Sequence, residues 1–161
     1  MPSVVSVVGF PNSGKTTLIE KLVPILMEKG LRVVVVKHHA HGDFDFDREG
    51  KDSWKIYQAG ADVVIASPFK VALIRRSTEI YDLDHVVERY LKDYDLVLTE
   101  GFNHYGKPRI VVLKPDDDIT KFKIGKIIAV VCEKDVEGYP TYRLTDESIA
   151  EIANLILRIV S

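Results

Sequence analysis

Gly9-Phe10-Pro11-Asn12-Ser13-Gly14-Lys15-Thr16 decides how the rest of the chain is read. The octet fits G-x-x-x-x-G-K-[ST], a loop whose backbone N–H groups wrap phosphate oxygens, and a chain of this composition matches it by chance only about 0.005 times. An apolar β-branched run at residues 4–8 precedes it, and a helical pattern over residues 15–29, closed by Gly30, follows it. Strand, glycine-rich turn and helix are the context that the motif needs. The helix N-terminus adds unpaired N–H donors and a positive dipole end. Gly9, Pro11, Asn12, Ser13 and Gly14 shape the loop. Lys15 brings a mobile positive charge to β- and γ-phosphates, Thr16 offers a hydroxyl to Mg²⁺, and Thr17 can hydrogen-bond an α-phosphate. A nucleoside di- or triphosphate with Mg²⁺ is the expected ligand.

Outward from the loop, short runs of valine, isoleucine and leucine at residues 33–36, 63–66, 96–99, 110–113 and 127–132 read as further strands. Such continuous runs, without polar alternation, indicate strands covered on both faces, as in a mostly parallel sheet between helical layers. Helices are expected at residues 52–59, closed by Gly60, at 83–92, and at 146–160 after a Thr145 cap; Pro24 should kink the first helix. Only Ser67-Pro68-Phe69-Lys70 separates the apolar runs between Val63 and Arg76, too short for a helical crossover, so this segment predicts a hairpin and a mixed sheet. The expected fold class is α/β, a three-layer P-loop NTPase-like fold, with residues 1–161 forming a single nucleotide-binding domain.

Composition agrees with this frame. The 161 residues are 46% hydrophobic and 29% charged, enough apolar material for a core and unlike a disordered or fibrous chain. The 22 basic and 24 acidic residues leave a net charge of −2, which gives no electrostatic reason to expect nucleic acid. No apolar run approaches the roughly 20 residues that span a bilayer. The apolar start of the chain lacks the positive charge of a secretory leader, and one cysteine, Cys132, cannot form an internal disulfide. A cytoplasmic protein with no membrane partner is expected.

A phosphate loop commonly works with a carboxylate at the tip of a neighbouring strand, which holds the Mg²⁺ shell. Asp95-Leu96-Val97-Leu98-Thr99-Glu100-Gly101 supplies Glu100 at such a tip. For the base, the run at 127–132 leads into Glu133-Lys134-Asp135, which lacks the Asn of the guanine-reading Asn-Lys-x-Asp element. Asp135 is either a guanine acceptor or an exposed turn carboxylate. Three of the five histidines and three aspartates fall in Lys37-His38-His39-Ala40-His41-Gly42-Asp43-Phe44-Asp45-Phe46-Asp47. At the carboxyl end of a parallel strand these residues are placed for ligand contact, whereas their spacing does not suit a structural zinc site. Asp47-Arg48-Glu49-Gly50 also fits the D-x-x-G of regulatory GTPases, but follows no strand and recurs at Asp135 to Gly138, so it carries no weight.

The loop G-x-x-x-S-G-K-T-T, Lys37-His38 after the second strand, Asp47-x-x-Gly50-Lys51-Asp52-Ser53, Ala59-Gly60-Ala61 and Glu100-Gly101-Phe102 together resemble the MobB family, GTP-binding adaptors of molybdopterin-guanine dinucleotide synthesis. The likeness runs in matching order from residue 3 to about 135. Here Ala40 interrupts the histidines and Asn103 follows Phe102, where the family often has further His and a Lys. The resemblance implies a homodimer that binds GTP with Mg²⁺, is at most a weak GTPase, and assists the molybdenum cofactor guanylyltransferase that joins GMP to molybdopterin. It further implies that residues 12–17 cradle phosphate, that Glu100 serves the metal, and that Lys37, His38, Asp47, Lys51 and Asp52 line a shared cleft. No catalytic residue is assigned. The alternative is a small-molecule kinase using ATP, which the loop fits equally well; such an enzyme usually carries an arginine-bearing lid, and Arg75-Arg76 is the only adjacent arginine pair.

Overall fold

Val5 and Val7 face one side of the first strand, and Val4 and Val8 face the other, because successive strand side chains point oppositely. All four pack against apolar neighbours, which is why no polar alternation is visible in the sequence. The computed structural model describes residues 1–77 and 82–160. These fall into two compact units, residues 1–38 with 82–160, and residues 39–77.

The larger unit contains β1 (Ser3–Val8), α1 (Lys15–Glu28), β2 (Val33–Lys37), α3 (Leu83–Tyr90), β5 (Leu96–Glu100), β6 (Arg109–Val112), β7 (Ile127–Val131), β8 (Thr141–Tyr142) and α4 (Asp146–Val160). A 3₁₀ turn spans Ile119–Phe122. Its sheet has the order β2-β5-β1-β6-β7-β8 and is parallel throughout. On one face Leu18, Leu22 and Leu26 of α1 and Ile149, Ile152 and Ile156 of α4 close over Val5, Val7, Leu98 and Ile110. On the other, Leu83 and Val87 of α3 cover Val97, and Phe122 covers Val111 and Val130. The three expected layers are present. α1 runs through Pro24 without a break in its span.

From β1 the chain moves to β2 on one side and later to β6 on the other, so the strand order switches beside the end of β1. Ligands of open parallel sheets bind at such a switch. Register sets Glu100 beside Val7 on one neighbour and beside Lys37 on the other, which brings the ends of β1, β2 and β5 level.

The smaller unit holds α2 (Asp52–Gln58) and a hairpin of β3 (Val63–Ala66) and β4 (Val71–Ile74). The expected antiparallel pairing is there, but in a two-stranded sheet of its own. Among the described residues no helix is long and apolar enough to cross a membrane.

Candidate functional site

The segment 9–14 forms a tight loop between β1 and α1, with Lys15 and Thr16 opening the helix. A Cβ on Gly9 would lie 2.3 Å from the Val112 carbonyl oxygen and 2.7 Å from Ser13 Oγ, so no side chain fits there. Asn12 takes a left-handed φ of 59°, a conformation that Asn tolerates better than most residues. Gly14 stands as the residue before α1 at φ 107°. No side chain caps this helix N-terminus, which leaves its N–H groups for a ligand. Ser13 Oγ is buried without a hydrogen-bond partner. An orphaned donor inside a glycine-walled loop is what an oxyanion would satisfy.

Lys15 Nζ donates to the carbonyls of Gly9 and Phe10 at 2.9 and 3.0 Å, folding its charge over the loop. Burial lowers its pKa from the usual lysine range; the negative charge of Glu100 acts the other way and the positive charge of Lys37 adds to the lowering. Thr16 Oγ1 donates to Glu100 Oε1 at 3.0 Å, across 84 residues of sequence. Hydroxyl and carboxylate oxygens are hard donors of the kind Mg²⁺ takes, so these two residues fit that ion. Lys15, Thr16, Lys37 and Glu100 are therefore brought together by the strand order.

Asp135 follows β7 but is not free: Arg143 Nη2 donates to its Oδ1 at 2.8 Å, while Arg143 Nη1 donates to the Cys132 carbonyl at 2.9 Å. Arg143 lies just past β8, a two-residue strand too short to read from sequence, and so this partner was missed. Leu113, Lys114, Cys132, Lys134, Asp135 and Val136 line a cavity of about 230 Å³ beside these strand ends.

His38 donates its backbone N–H to the Glu100 carbonyl at 3.0 Å, and its ring lies 4.7 Å from that of Phe102. Of the other proposed cleft residues, Lys37 ends β2 in the larger unit, and Asp47, Lys51 and Asp52 belong to the smaller one. Asp47 accepts from Ser53 Oγ and, at 2.8 Å, from the Arg48 N–H. Those bonds, the hydroxyl first, hold its carboxyl below the ordinary carboxylate range. Asp47 thus fastens the start of α2, where Lys51 occupies the position before the helix and Asp52 its first turn. In the same unit Phe44, Asp45, Trp54, Tyr57, Leu73 and Arg76 line an open cavity of about 880 Å³. Among the described residues no group of three or more His, Cys, Asp or Glu gathers as a metal site.

Residues 4–133 match the family described as molybdopterin guanine dinucleotide synthesis protein B. The chain belongs to the MobB family. It is 37% identical over 68% of its length to a Haemophilus influenzae protein named molybdopterin-guanine dinucleotide biosynthesis adapter protein, the match spanning 62% of that relative. It is 33% identical to a Bacillus subtilis protein named as a probable adapter of the same kind, over 89% of this chain and 86% of the other. A crystal structure of a molybdopterin-guanine biosynthesis protein B superposes with a TM-score of 0.83 at 50% identity, covering 98% of both chains. That of Bacillus subtilis MobB gives 0.81 at 31% identity over 99% and 98%. The fold expected from the loop is thus the fold of the family.

Proposed function

We propose that the protein binds GTP with Mg²⁺ at residues 9–17 and serves as an adaptor for the molybdenum cofactor guanylyltransferase, which joins GMP to molybdopterin. The observation that carries this reading is the Thr16 to Glu100 hydrogen bond beside Lys15 Nζ and the orphaned Ser13 hydroxyl, the parts a Mg-nucleotide would engage. The adapter names of the relatives supply the pathway. Asp135, Lys134 and the small cavity after β7 are the proposed seat of the base. On this reading the chain hydrolyses GTP weakly or not at all, as the family resemblance implies. The protein acts in the cytoplasm as a homodimer. Support for self-association comes from the hairpin, whose exposed apolar residues Val64, Phe69, Val71 and Leu73 form a surface that monomers seldom leave open.

Calorimetric titration with GTP and ATP, each with and without Mg²⁺, tests the ligand. Tighter binding of GTP, strengthened by the metal, is expected; equal binding of ATP would turn the reading toward the kinase alternative. Adding the protein to the purified guanylyltransferase with GTP and molybdopterin tests the adaptor role, and unchanged dinucleotide yield would overturn it.

A further inference from the structure

Arg109 opens β6 with its side chain wholly inside the larger unit. Buried arginines are normally paired with a carboxylate, since a lone cation in the interior is costly. Among the described ion pairs none includes Arg109, and burial lowers its pKa. Its partners are carbonyls and an amide. Nη1 donates to Asn103 O at 3.1 Å, to Asn103 Oδ1 at 2.9 Å and to Phe122 O at 3.2 Å, and Nη2 donates to Tyr105 O. Nε is buried with no partner. A methionine would fill similar space without desolvating a charge, so the guanidinium has to be explained by what it holds.

Three of its four bonds go to the turn 101–105, which directly follows Glu100. That turn is in an unfavourable conformation. Gly101 has φ 91° and Phe102, a bulky residue, has φ 57°. Non-glycine residues in the left-handed region persist only where their surroundings over-determine them. One end of the turn is fixed by backbone bonds: Gly101 N–H donates to the Val7 carbonyl at 3.0 Å, and the Glu100 carbonyl accepts from His38. Its middle is wedged by rings, with Phe102 4.7 Å from His38 and 5.5 Å from Tyr105. The other end has Arg109, joined by Asn103 Nδ2, which donates to the Lys121 carbonyl at 3.0 Å. Asn103 thus serves as a double acceptor for the buried arginine and as a donor across to residue 121.

We propose that Arg109 is a positioning residue whose guanidinium holds the 101–105 turn closed, keeping the Glu100 carboxylate on Thr16 at the metal side of the nucleotide. This rests on the nucleotide reading above. A loosened turn would let the Glu100 carboxylate leave Thr16 without disturbing the loop 9–14, because that loop is held by β1, α1, Lys15 and the packing of Gly9 on Val112 at the far end of β6. The effect of breaking the clamp is therefore confined to the contribution of Mg²⁺.

The experiment measures GTP affinity with Mg²⁺ and with EDTA for the wild-type chain, Arg109→Lys, which keeps the charge and loses the fork, and Asn103→Ala, which removes one acceptor at a half-exposed site. Thermal unfolding of each is followed in parallel. Arg109→Lys is expected to lose about tenfold or more of the Mg²⁺-dependent gain while its metal-free affinity stays within twofold, and Asn103→Ala to lose several-fold in the same arm only. Wild-type gain in both variants, or equal losses with and without metal, would overturn the positioning role. Where Arg109→Lys does not fold, Asn103→Ala decides in the same terms. If the wild-type chain itself gains nothing from Mg²⁺, it is the nucleotide reading that fails, and the two failures are told apart.

Discussion

Lys15 has two acceptors, the carbonyls of Gly9 and Phe10, that belong to the loop itself, and it stands at the open first turn of α1. Its removal should therefore spare the fold and remove the charge that meets the phosphates. Lys15→Ala is expected to lower GTP affinity on the order of 100-fold, the worth of one or two charge-assisted hydrogen bonds, with an unchanged unfolding midpoint. Undiminished binding in calorimetry would remove the loop from the site. Glu100→Gln keeps the shape and an acceptor for Thr16 but loses the negative charge that orders a metal's waters. It should reduce affinity in Mg²⁺ far more than in EDTA, and equal loss in both would make Glu100 a structural residue only. Gly9 is different in kind. Because its would-be Cβ meets backbone at 2.3 Å, Gly9→Ala should unfold several degrees below the wild type in a thermal melt, whatever ligand is present.

Elements show where sequence and structure part. β1, β5, β6 and β7 were legible because burial on both faces removes the polar alternation, whereas the run at 63–66 looks the same in sequence yet leaves Val64, Ile65 and Ala66 exposed; the helix ends were legible from Gly30 and Gly60. Lys15, Thr16 and Glu100 were legible because a strand tip in a parallel sheet falls on the edge where the loop lies. β8 was not, since two residues carry no periodicity, and with it went Arg143 and the pairing of Asp135. Arg109 was not, because a single charge beside an apolar run reads as a strand end at the surface. Nor was the Arg32 to Asp95 pair, whose members lie 63 residues apart and meet only because β2 and β5 start level. Asp95 accepts from the Arg32 backbone N–H at 2.7 Å and from its Nε and Nη2 at 3.2 and 3.1 Å. Those bonds, the guanidinium first, hold the Asp95 carboxyl below its ordinary value of 3.8. A carboxylate depressed in the folded state stabilises at pH above its unfolded pKa, and that stabilisation fades as pH falls through the folded value. Urea unfolding of wild type and Asp95→Asn should accordingly differ most at pH 6 to 7 and converge below about pH 4. A difference that does not change with pH would mean that the backbone bond, not the charge, does the holding.

At the scale of the whole molecule, what remains to be explained is an apolar surface. Across the hairpin Val64 pairs with Leu73 and Ala66 with Val71, and because alternate strand residues share a face, these four lie on one side of the two-stranded sheet. Val64 is 61% exposed, Val71 70%, and Phe69 at the turn 95%. An isolated two-stranded hairpin is marginal in water, and a hairpin with an open apolar face is more so. The same surface favours pairing with a second copy, where an isologous contact lays identical faces together and removes them from water. Analytical ultracentrifugation at micromolar concentration should find the wild-type chain as a dimer. Val71→Asp with Leu73→Asp places two charges on that face, each at an exposed position whose change removes no core packing, and should give a monomer. GTP affinity of the monomer should stay within a few-fold of wild type, since residues 9–17 and Glu100 belong to the other compact unit. A wild-type monomer, or a double variant that still dimerises, would show that the hairpin is not the homodimer contact.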